Sequence, residues 1–160
     1  MALIKLNNQS LSNVTSAGLP SGTVLQVVSD TDTATLTVTN DSTWHATGLV
    51  ASITPSSASS KILILMHGNM YSTAANYQGA VTVFRGTTSG TNLGDTSFGL
   101  GTAFDGGNAN KGHISCSYLD SPSTTSAQTY TVAIKTDGVN GGIFNVNNEV
   151  STLVLMEIAG

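Results

Sequence analysis

The sequence predicts an all-β protein: an antiparallel β-sandwich, jelly-roll-like, of about eight to ten strands, preceded by an extended N-terminal arm. Helical periodicity is almost absent, while period-two alternation and short apolar runs recur between clusters of Gly, Asn, Asp and Ser. Apolar residues make up an ordinary 39%, but charged residues only 9%, far below the usual quarter. Hydroxyl and amide side chains fill that gap, as suits strands and tight turns. A chain of 160 residues can bury one proper core.

The elements follow in order. Residues 1–21 alternate weakly and end in Leu19-Pro20-Ser21-Gly22, so they read as an arm or linker before a head domain over 22–160. The first strand is "GTVLQVVS" (22–29), followed by a turn at "SDTDT". "TATLTVTN" (33–40) alternates most cleanly, with Thr33, Thr35, Thr37 and Thr39 opposite Ala34, Leu36 and Val38. "WHATGLVASITP" (44–55), "KILILMHGNMY" (61–71) and "YQGAVTVFRG" (77–86) are strands, and a short one is expected near Leu93 to Leu100. "HISCSYLD" (113–120), "QTYTVAIKT" (128–136), the short "IFNVNN" and "STLVLMEIA" (151–159) complete the set.

Two of these strands are apolar on both faces. Ile62, Ile64 and Met66 oppose Leu63 and Leu65; Val154, Met156 and Ile158 oppose Leu153, Leu155 and Ala159. A two-layer sandwich covers only the inner face, and each outward apolar side chain left wet forgoes ~1.5–3 kcal/mol. Self-association is therefore expected, as a homotrimer whose interface uses Leu63, Leu65, Leu153, Leu155 and Glu157. Glu157 shares a face with Leu153 and Leu155, and a lone buried carboxylate is costly unless paired. Either it lies near the strand end, within reach of water or a cation, or it sits at the oligomer axis.

Residues with catalytic potential form no recognisable set. Gly94-Asp95-Thr96-Ser97-Phe98-Gly99 does not fit a nucleophile elbow, and Gly99-Leu100-Gly101 lacks the third glycine of a dinucleotide loop. His45, His67 and His113 stand singly on three strands, without H-x-H spacing; a fold could bring them together, or a threefold axis could gather one His per subunit into a metal site, but an isolated strand His is more often a hydrogen-bonded structural residue. Asp30 and Asp32 form D-x-D, and Asp105, Asn108 and Asn110 make an oxygen-rich loop; turn formation explains both stretches without calcium. Glu149 and Glu157 single out no glycosidase pair. The expectation is a non-enzyme with no catalytic residue, cofactor or metal. Tyr71, Tyr77, Trp44 and Phe104 could stack on sugars, although strand-end aromatics more often plug cores. The sequons at Asn8, Asn13 and Asn40 are what an Asn- and Ser/Thr-rich chain supplies by chance.

The net charge is −4, and Lys5, Lys61, Arg85, Lys111 and Lys135 are scattered, so no basic stripe tracks a nucleic acid. Cys116 alone makes no intrachain disulfide and reads as a buried, inert thiol. No apolar run approaches the ~18 residues of a membrane span, and Met1-Ala2-Leu3-Ile4-Lys5 does not open a signal peptide.

The segment "LIKLNNQSLSNVTSAGLPSGTVLQVV" resembles the N-terminal segments of small tailed-bacteriophage virion proteins, and "QSLSNVTSAGLP" is similar to connectors before tail-fibre tips. "ITPSSASSKILILMHGNMY", "AVTVFRGTT", "YLDSPSTTSAQTYTVAIKT" and "STLVLMEIAG" resemble the domains that follow such connectors. The resemblance implies a virion protein made in the host cytoplasm: a capsid decoration or head-fibre protein built as a trimeric jelly roll. On this expectation Leu3, Ile4, Leu6, Leu11 and Val14 of the arm dock on the major capsid protein or another virion protein. The alternative is a tail-fibre tip that recognises a host surface glycan; a polysaccharide depolymerase ranks third.

Overall fold

Four nested antiparallel pairs organise the chain. In the computed structural model, which describes residues 19–39, 41–72, 77–105 and 111–160, the strands are β1 (Val24–Asp32), β2 (Leu36–Val38), β3 (His45–Ile53), β4 (Lys61–Ser72), β5 (Tyr77–Arg85), β6 (Thr91–Asn92), β7 (Gly101–Asp105), β8 (Lys111–Asp120), β9 (Gln128–Thr136), β10 (Gly142–Phe144) and β11 (Ser151–Ile158). β5 pairs with β7, β4 with β8, β3 with β9 and β1 with β11. This is a long hairpin folded over on itself into two sheets. The first sheet runs β1-β11-β4-β8 and the second β3-β9-β5-β7, with β2 and β10 extending the first and β6 the second. That order is a jelly roll.

Alternation explains which residues enter the sandwich. Ile62, Ile64 and Met66 of β4 and Leu153 and Leu155 of β11 meet Leu49, Ile53, Val81, Val83, Val132 and Ile134 of the second sheet. At one end of this core, Tyr130 donates its hydroxyl to buried Asp120 (2.8 Å), which Arg85 also approaches at 3.4 Å. Burial, and then that bond to Asp120, push the Tyr130 hydroxyl well above its ordinary range. Gly68 brings β4 against the Phe144 ring; a Cβ there would lie 2.8 Å from it.

Several elements differ from the sequence reading, and β7 (Gly101–Asp105) is a strand that reading did not include. Asp30 and Asp32 belong to β1, opposite Leu153 and Ser151, rather than to a turn. Their carboxylates accept backbone N–H groups, Asp30 from Val50 (2.9 Å) and Asp32 from Ala34 (2.9 Å). The clean threonine alternation yields only the short β2, because its partner β10 spans three residues. Between Leu93 and Leu100 a tight turn replaces the expected strand: Asp95 and Gly99 exchange backbone hydrogen bonds, and the Asp95 carboxylate accepts the N–H groups of Ser97 and Phe98. At the other end of the chain, backbone bonds from Gly22 to Ala159 and from Ala159 to Thr23 tie the entry of β1 to the exit of β11.

Candidate functional site

The two sheets differ in what lies over their outer faces. At the β5–β9 centre of the second sheet the outward side chains Ala80, Thr82, Phe84, Thr131 and Ala133 are all buried, whereas Val50 of β3, opposite Thr131, is exposed. The chain covers the buried ones itself. Trp44 packs edge-to-face on Phe84 with ring centroids 6.0 Å apart, and Lys135 lies over Trp44 at 4.8 Å. The connection between β5 and β7 folds back to supply the rest. Thr82 Oγ1 donates to Asn92 Oδ1 (2.6 Å), Thr131 Oγ1 to the Gly86 carbonyl (2.7 Å), and Lys135 Nζ to the Thr96 carbonyl (2.8 Å). Gly99 sits so close that a Cβ would clash with the Val81 carbonyl and meet Trp44.

The first sheet has no such cover among the described residues along most of its length. Register places its outward residues in rows across β1, β11, β4 and β8: Val27, Met156, Leu63 and Leu119; then Ser29, Val154, Leu65 and Ser117; then Thr31, Thr152, His67 and Ser115. Ile158 and Lys61 close one end, and Lys61 is the only Lys, Arg, Asp or Glu in these rows. Val27 is 56% exposed, Leu119 48% and Leu65 37%, while Leu63, Val154, Met156 and Ile158 are half-buried. A shallow depression of about 350 Å³ lies on this face beside His67, Leu65 and Val154.

This placement corrects the interface read from sequence. Leu63 and Leu65 do face outward. Leu153, Leu155 and Glu157 face inward and are 0%, 0% and 1% exposed, so no partner subunit can touch them in this fold. Their places on the outer face are taken by Val154, Met156 and Ile158. The physical reason is register: Leu63 stands opposite Met156 and Leu65 opposite Val154, and directly opposed residues share a face.

Glu157 lies near the strand end, one of the two settings expected for it, but protein donors and not water or a cation hold it. Its carboxylate is buried near the strand end, where Gln26 Nε2 (2.6 Å), the Ser56 N–H (2.7 Å) and the Ser56 hydroxyl (2.7 Å) all donate to it. Burial pushes its pKa up, but the bonds from Gln26 and Ser56 outweigh burial and hold the carboxyl below the usual glutamate range. Glu157 thus anchors the β3–β4 loop to the core edge.

The histidines and aromatics are distributed unevenly. His45 pairs with Asp41 (2.7 Å) beside β3. His67 and His113, solitary in sequence, stack on the outer face of the first sheet, with centroids 5.7 Å apart and planes within 10°. Sequence reasoning missed that pair because the two lie on different strands. Exposed Phe98 (55%) was missed too; it borders a depression of about 260 Å³ shared with Gln78, Ser97, Lys135 and Asp137. Cys116 is half-buried opposite Met66, and burial pushes its thiol up to about 11. The arm residues Leu3, Ile4, Leu6, Leu11 and Val14 lie outside the described residues, as do Asn8, Asn13, Asn40, Asn108, Asn110 and the side chains of Tyr77, Phe104 and Asp105.

The strand order defines a jelly roll whose first sheet, among the described residues, has less cover on its outer face than the centre of the second sheet has. No protein-family model matches the chain, and no curated protein matches it significantly. Among solved structures it is similar to infectious bursal disease virus VP2 in a subviral particle, at 14% identity over 84% of this chain and 37% of that one, with a TM-score of 0.44. T=1 particles derived from infectious bursal virus give 10% identity over 84% and 36%, with a TM-score of 0.44. Bacillus endospore appendages, a family of disulfide-linked pili, give 13% identity over 86% and 94%, with a TM-score of 0.35. The chain spans little more than a third of the length of the viral chains.

Proposed function

We propose that the protein is a non-enzymatic virion structural protein of the capsid-decoration or head-fibre type, assembling as a homotrimer. The observation that carries assembly is the outer face of the first sheet. Val27, Met156, Leu63, Leu119, Leu65 and Val154 form an apolar patch on it with no charged side chain among them, while the centre of the other sheet's outer face is covered by the chain's own loop. Contiguous apolar surface of this kind marks an interaction site. A second copy is the favoured partner because a chain with 9% charged residues carries little repulsion against its own kind. The virion setting comes from the likeness of the N-terminal and strand segments to tailed-phage virion proteins, and on this reading residues 1–21 dock on the capsid. Sedimentation equilibrium tests assembly: a trimer is expected at micromolar concentration, and a stable monomer there would overturn it. Removing residues 1–21 should abolish binding to virions; retained binding would rule the arm out.

A second reading, a fibre tip that recognises host glycans, is favoured by exposed Phe98 beside Gln78, Ser97, Lys135 and Asp137, an aromatic face ringed by polar groups. On that reading Phe98→Ala removes saturable binding on a glycan array. An array with no binder rejects it.

A further inference from the structure

We propose that His67 and His113 form a two-histidine site for a divalent transition-metal ion on the outer face of the first sheet. The pairing of β4 with β8 sets His67 opposite Ser115 and Asn69 opposite His113, which makes the two histidines diagonal neighbours on one face. Both side chains are exposed. Their rings lie 5.7 Å apart and nearly parallel, and turning them out of the stack about the side-chain torsions would bring two ring nitrogens toward one ion. The backbone under them is a regular ladder, and little ordering remains to oppose binding.

A further contact points the same way. His67 Nδ1 and Ser115 Oγ lie 2.8 Å apart in a hydrogen bond. When Nδ1–H donates to the hydroxyl, Nε2 carries the free lone pair, and the ring is oriented as second-shell partners orient metal-bound histidines. Lys111, two residues along β8 from His113, is ion-paired with Glu149, so its charge is offset close by. Imidazole nitrogen selects zinc, nickel or copper, not the oxygen-seeking calcium or magnesium.

Among the described residues no group of three or more His, Cys, Asp or Glu side chains converges, so the described residues supply two protein ligands per chain. Cys116 does not complete it: it stands opposite inward-facing Met66, with its thiol held protonated by burial. The depression beside His67, Leu65 and Val154 leaves room for waters or for a group from another copy to fill the remaining positions.

Isothermal titration of the full chain with zinc chloride and nickel chloride tests the proposal. Saturable binding is expected, with magnesium chloride giving none. His67→Ala and His113→Ala should each weaken binding by roughly tenfold or more, and His45→Ala should leave it unchanged. Zinc should shift the imidazole proton NMR signals of both His67 and His113. No saturable binding, binding unaffected by either substitution, or a shift of one ring alone would overturn the site. Circular dichroism melts without metal confirm that the variants fold, as expected for exposed positions. Sedimentation with and without EDTA reports assembly separately: a trimer that binds no metal removes this site alone, and a metal-binding monomer removes the assembly reading alone.

Discussion

Leu155 and Met156 are adjacent in sequence and should respond in opposite ways. Leu155 is fully buried, opposite Val28 on β1 and Ile64 on β4. Leu155→Ala therefore empties a closed space between the sheets and should lower unfolding free energy by about 2–5 kcal/mol. Met156 is half-buried on the other side, opposite Val27 and Leu63, where any gap opens to water. Met156→Ala should cost the isolated fold under about 1 kcal/mol. Association reverses the ranking. Val27, Leu65 and Leu119 retain 56%, 37% and 48% exposure. With ~1.5–3 kcal/mol for complete burial of such a side chain, each has ~1 kcal/mol still to gain in an interface. Met156→Lys sets a charge among them and should weaken association by about two orders of magnitude, equivalent to ~2–3 kcal/mol. Guanidinium unfolding followed by Trp44 fluorescence measures the first effect, and sedimentation equilibrium the second. If Met156→Ala destabilises the fold as much as Leu155→Ala, the assignment of faces is wrong. If Met156→Lys leaves association unchanged, the face is not the interface.

Three other outcomes follow from single sites. Glu157 is depressed in the folded state, so its stabilising effect is complete above the ordinary glutamate range and is lost as pH falls through its folded pKa. Glu157→Gln turns an amide donor toward the donors Gln26 and Ser56, and should cost about 1–3 kcal/mol at neutral pH while flattening the loss of stability in acid; urea unfolding at pH 7 and pH 3 checks both. Gly99 has φ +63° and no space for a Cβ against the Val81 carbonyl, so Gly99→Ala should destabilise by about 1–3 kcal/mol, and an unchanged denaturation midpoint would refute that packing. With its thiol near 11, Cys116 holds on the order of one part in a thousand as thiolate at pH 8, so it should react slowly with a disulfide reagent until the protein unfolds, and rapid native labelling would contradict its burial.

Fold class and most strands were legible in the sequence because alternation and turn chemistry are local properties. "KILILMHGNMY" and "STLVLMEIA" announced that both of their faces were apolar, and hence that one outer face would need an explanation. Which set points inward was not legible. Alternation defines two faces but not their assignment, and a one-residue change in register exchanges them. The tertiary structure made that choice, setting Leu153, Leu155 and Glu157 inside and leaving Leu63, Leu65 and Met156 outside. Glu157 is tolerable there only because Gln26 and Ser56, more than a hundred residues away in the chain, bring it three hydrogen bonds. His67 and His113 became neighbours in the same way, through the register of β4 on β8. Local pattern determines what a strand is; pairing across the sheet, set by distant residues, decides what each of its faces meets.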